Sequence, residues 1–127
     1  YYPKEYGSFQ HISGMKFTFD SKIPSSVKLD EHENFVSIEG RRRVLDVEVL
    51  NDEGVYEKLI PEKKYTIASH NYLLLDNGSG ATMFDDSKII VNNGMLDVEL
   101  LEIYITEFLN GKIGSEYSES QNRIIAK

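Results

Sequence analysis

Met15, Phe17 and Phe19 alternate with Lys16 and Thr18, and Leu45, Val47 and Val49 alternate with Asp46 and Glu48. A period of two puts each apolar set on one face of an extended chain, so both segments predict half-buried strands. Residues 20–24 end the first with turn chemistry, and Asn51-Asp52-Glu53-Gly54 closes the second as a hairpin turn. Residues 27–38 are polar and mixed and predict a long loop or hairpin between them. Tyr65 and Ile67 alternate with Thr66 and Ala68 and predict a further strand, which residues 59–63 lead into. Residues 88–92 and Ile124-Ile125 are shorter strand candidates, the latter at a sheet edge.

The period changes late in the chain. Leu101, Tyr104, Ile105 and Phe108 are spaced as one stripe of a helix over 98–109, expected to be buried. Asp97 suits the N-cap, Glu99 complements the positive helix start, and Asn110-Gly111 stops it. Residues 81–86 predict a short helical turn, and 113–122 a polar connection. Strands joined by turns, then a helix, give an α+β fold: a mixed, mostly antiparallel sheet with helices packed on it. No internal repeat is visible.

Composition narrows the class. The 127 residues suit a single domain, and 40% hydrophobic with 28% charged residues is ordinary for a globular protein. No apolar run approaches the roughly 20 residues of a membrane span. The absence of cysteine rules out a disulfide framework and a thiolate metal site. A net charge of −7 makes nucleic acid a poor partner, because phosphate contacts need clustered cations. The one basic run, Arg41-Arg42-Arg43, reads either as a nucleotide-phosphate contact or as a solvated triplet leading into a strand, with Glu31, Glu33, Glu39, Asp46 and Glu48 largely neutralising its field. The start lacks the basic and apolar regions of a signal peptide and lacks a Met, and is expected to be a cut from a longer chain.

The richest stretch is 65–84, YTIASHNYLLLDNGSGATMF. Its alternation breaks at Asp76-Asn77-Gly78-Ser79-Gly80, with Tyr72 between strand and break. A flat aromatic beside a glycine turn can form a slot for a planar ligand: the ring offers a stacking face, and glycine lets backbone approach closely. A Tyr here also serves simply as core or rim packing.

This segment resembles the signature block of the C-terminal domain of the 5'-nucleotidase family, metal-dependent hydrolases that include UDP-sugar hydrolases and 2',3'-cyclic-nucleotide phosphodiesterases. The matching residues are Tyr65-Thr66-Ile67-Ala68-Ser69, Asn71-Tyr72-Leu73 and Asn77-Gly78-Ser79-Gly80. Further matches follow the family's order. Residues 7–14, GSFQHISG, resemble its G-x-F-x-Q-V-S-G segment, residues 95–101 the start of its last helix, and Arg123-Ile124 its closing strand.

The resemblance implies that the chain is the later part of that specificity domain, with upstream strands and a helix lying before Tyr1. Some apolar face would then be exposed, or covered by another chain. It implies a nucleotide or nucleoside substrate, with Tyr72 stacking on the base and Gly7, Asn77, Gly78, Ser79 and Gly80 shaping the pocket. Ser79 stands where the family has an Asp for the ribose hydroxyls, with Asp76 as the available substitute. The partner implied is an N-terminal metallophosphatase domain of the same parent chain, holding two divalent metal ions, and the setting is extracellular, cell-surface or periplasmic. No cofactor is expected in this chain. His11, His32 and His70 have no second ligand at a metal-binding spacing, and no Ser-His-Asp or Cys-His arrangement exists, so the chain alone is expected to be inactive. His70 either lines the slot beside Tyr72 or faces solvent. The alternative is a non-catalytic binding or interaction module with a degenerate site.

Overall fold

The two alternating segments form adjacent antiparallel strands, β1 (Met15–Phe19) and β4 (Val44–Leu50), in register from Met15 opposite Val49 to Thr18 opposite Asp46. The computed structural model describes residues 9–32 and 34–127. The described residues divide into two units, one comprising those up to Tyr65 together with Asn122–Lys127, the other Thr66–Gln121. The fold is α+β, with a mixed, mostly antiparallel sheet and a few short helices.

In the first unit the sheet order is β5-β4-β1-β6, with β5 at Tyr56–Lys58 and β6 at Ile124–Ala126. Asn51 shapes the β4–β5 turn: its Oδ1 accepts from the Glu53 and Val55 amides, at 3.0 and 2.9 Å. Gly54 completes the turn at φ +78°, where an L side chain is strained. β6 pairs with β1 in parallel, Phe17 opposite Ile124, so the expected edge strand is present and makes the sheet mixed. Ser21 fastens that end, with both its amide and Oγ donating to the Lys127 carbonyl. Met15, Phe17, Val47, Val49 and Ile124 share one face by register. The other carries Lys16, which pairs with Glu48 at 3.4 Å and sits 3.9 Å from the Tyr56 ring centroid.

The mixed stretch 27–38 is a hairpin, β2 (Val27–Leu29) against β3 (Phe35–Ile38), forming its own two-stranded sheet. Asp30 organises its turn, accepting from the His32 and Asn34 amides and the Asn34 side chain at 2.8–3.0 Å. Arg43 Nε donates to the Ile23 carbonyl at 2.6 Å, so one member of the basic triplet holds backbone, while Arg41 and Arg42 are exposed.

The second unit contains α1 (Asn71–Leu74), 3-10 turns at Gly78–Gly80, Thr82–Phe84 and Ser115–Tyr117, and α2 (Asp97–Ile103), which continues as a π-helical turn over Tyr104–Phe108. Three expectations are corrected here. Residues 65–69 and 88–92 form no strand; alternation makes a segment strand-competent, but a ladder needs a neighbour, and none pairs with either. The helix begins one residue earlier than expected, with Leu96 at the N-cap and Glu99 Oε2 accepting the Leu96 amide at 3.1 Å. The stripe expected to be buried is open, with Leu101 58%, Tyr104 45% and Phe108 69% exposed and Ile105 half-buried. Among the described residues, Ala81 is the only buried apolar side chain.

Candidate functional site

The chain turns twice within ten residues around Tyr72. His70 precedes α1, and its carbonyl accepts the Leu73 and Leu74 amides, both at 3.1 Å. The helix is stopped after one turn by Leu75 and Asp76, whose amides return to the Asn71 carbonyl. Asn77 then takes the left-handed conformation at φ 54°, which asparagine tolerates, and starts the 3-10 turn through Gly78, Ser79 and Gly80. The Gly80 amide donates to the Asn77 carbonyl at 2.9 Å.

This reversal folds the glycine turn back onto the aromatic. Tyr72 Cδ1, Cε1 and Cζ lie almost equidistant from where a Cβ of Gly78 would stand, and too close to admit one. Three consecutive ring atoms at similar distance mean that glycine meets the face of the ring, not its edge. Gly78 is buried there, next but two to Ala81. Tyr72 keeps 52% of its surface exposed. The ring is therefore neither interior packing nor a loose surface side chain: one face lies on glycine, and half the residue meets solvent.

The structure brings Tyr72 and Gly78 into contact and sets Asn77, Ser79 and Gly80 on the same turn. Gly7 lies outside the described residues. His70, two residues from Tyr72, is exposed. His11 packs edge-on against Phe9, with ring centroids 5.8 Å apart, and His32 lies 3.5 Å from Glu31 on an exposed turn. Among the described residues no group of three or more His, Asp or Glu side chains could hold a metal ion. No helix among them is long and apolar enough to cross a membrane.

A second feature went unrecognised in the sequence. α2 and its π turn present an apolar concavity of about 470 Å³, lined by Asp97, Leu100, Leu101, Ile103, Tyr104 and Phe108. The π turn shapes it. Thr106 Oγ1 donates to the Glu102 carbonyl at 2.8 Å, and the backbone widens so that the Leu109 amide reaches Tyr104 at 3.1 Å. Phe108 stacks on Tyr104, 5.9 Å between centroids and 24° between planes. Tyr104 and Tyr117 hydroxyls are 3.2 Å apart, and that hydrogen bond pushes the Tyr117 phenol above its ordinary value. Periodicity announced the stripe but not its exposure, because spacing reports which side chains align, not what they meet.

Comparison with family models, with curated proteins and with solved structures finds no match to this chain.

Proposed function

We propose that this chain is a nucleoside-recognition module of a 5'-nucleotidase-type phosphohydrolase, positioning base and ribose for a separate two-metal domain of the same parent chain. The observation that carries the proposal is the Tyr72 ring lying face-on against Gly78 while half of Tyr72 remains exposed. A ring backed by glycine on one face is held flat, and the exposed half of Tyr72 offers a planar base a stacking surface. The ordered sequence resemblances support the same reading.

Charge narrows the ligand. No Lys or Arg occurs between Lys64 and Lys88, whereas Asp76, Asp85 and Asp86 do. Nothing in this stretch compensates a phosphate, so the module grips the nucleoside end and leaves the phosphate to the metal domain. Ser79 offers about one neutral hydrogen bond where a carboxylate would offer two charge-assisted ones, a loss of roughly 1–2 kcal/mol. Stacking on one ring contributes roughly 1–3 kcal/mol, so the expected dissociation constant is about millimolar or weaker.

The test is an amide-shift titration of the chain with adenosine, uridine and their 5'-monophosphates. Shifts are expected at Tyr72 and residues 77–80, with the nucleosides binding at least as well as the monophosphates. Tyr72→Ala should abolish them, and Ser79→Asp should strengthen binding about tenfold. No shift at these residues, or shifts that persist in Tyr72→Ala, would sink the proposal. The non-catalytic interaction module would then stand, favoured by the open apolar face of α2.

A further inference from the structure

We propose that the open face of α2 is a dimerisation surface, covered by the same face of a second copy of this chain running antiparallel. Leu101, Tyr104 and Phe108 form a continuous stripe, each 45–69% exposed, and with Leu100 they line the concavity. Large apolar side chains exposed side by side around one concavity are candidates for an interaction site.

Charge selects the occupant. Asp97 lines the same concavity at the helix start, and Lys112 is exposed on the turn that closes the helix. The stripe is thus negative at one end and positive at the other. An antiparallel copy sets Asp97 beside Lys112 twice, about a two-fold axis, whereas a parallel copy sets like charges together. The spacing is self-complementary in the same sense. With the axis between Tyr104 and Ile105, Leu101 of one copy faces Phe108 of the other in the register that joins Asp97 to Lys112. Glu99 and Glu102 fall on the far side of α2, while Glu107, next to Phe108 in the π turn and one turn on from Ile103, stands at the rim of the docked face, so orientation rests on the Asp97–Lys112 pairing. The stripe alone falls short of the roughly 800 Å² per partner of a standard interface, so the dimer is expected to be reversible, with micromolar affinity.

Sedimentation velocity of the intact chain across the micromolar range should show a monomer–dimer equilibrium. Phe108→Glu should weaken it at least about tenfold. Val91→Asp, at an apolar position 74% exposed but off the stripe, should leave it unchanged. The chain has no cysteine, so register can be read by cross-linking without background. An equimolar mixture of Leu101→Cys and Phe108→Cys chains, distinguished by mass, should form the mixed disulfide in preference to either self-linked product. A chain monomeric throughout the range, growth past the dimer, indifference to Phe108→Glu, or preferential self-linking would each overturn the proposal.

Discussion

Two glycines show how a single missing Cβ is used in opposite ways. At Gly78 an added methyl would overlap the face of Tyr72, a ring seated on buried backbone. At Gly114 it would meet only the carboxylate end of the exposed Glu116 side chain, which can swing away, and the backbone there is extended (φ −87°, ψ 177°). Gly78→Ala is therefore expected to destabilise by about 1–3 kcal/mol and to displace the Tyr72 ring resonances. Gly114→Ala should be neutral or stabilise by about 0.5 kcal/mol, through the reduced entropy of the unfolded chain. Denaturant unfolding of the two variants checks both signs, and equal destabilisation would contradict the packing described at Tyr72. Asn77-Gly78 announces a turn in the sequence; that the turn folds back onto the ring six residues earlier depends on α1 ending after a single turn.

At the scale of elements, the β2–β3 hairpin depends on one carboxylate. The Asp30 carboxyl is held below its ordinary value, chiefly by the hydrogen bond from the Asn34 side chain and then by the Asn34 amide. A depressed folded-state value means that the ionised form stabilises the turn. That stabilisation is present above the unfolded value of about 3.9 and disappears as pH falls through the lower folded value. Side-chain carboxyl NMR should place the Asp30 midpoint below the ordinary aspartate value of about 3.9, and the hairpin amides should lose exchange protection as Asp30 protonates. A midpoint at the ordinary value would contradict the turn geometry. Strand alternation made β1 and β4 legible, because a two-residue period is a property of one segment. It failed at residues 65–69 for the complementary reason: no neighbouring strand is there to pair with.

Over the whole molecule the two units differ in kind. The first joins segments distant in sequence through ladders, with Phe17 bonded to the Arg123 carbonyl at 2.8 Å. The second is held mainly by local turns, and its large apolar side chains, among them Met83, Ile90 and Leu100, are 61–70% exposed. Local opening costs least where few apolar contacts are lost. In dilute solution, below dimerisation, amides of β1 and β4 should exchange much more slowly than those of α2, and mass spectrometry of peptic fragments reads this directly. Uniform protection across both units would contradict the open second unit. The sequence by itself determined the α+β class, the strands at β1 and β4, the turns at Asn51 and Asn77 and the position of α2, because spacing, turn chemistry and glycine act within a few residues. Only the tertiary structure decided that β6 returns to lie parallel to β1, that the glycine turn backs Tyr72, and that the α2 stripe faces outward. Those outcomes depend on which distant segments meet, and a period along the chain carries no information about its partner.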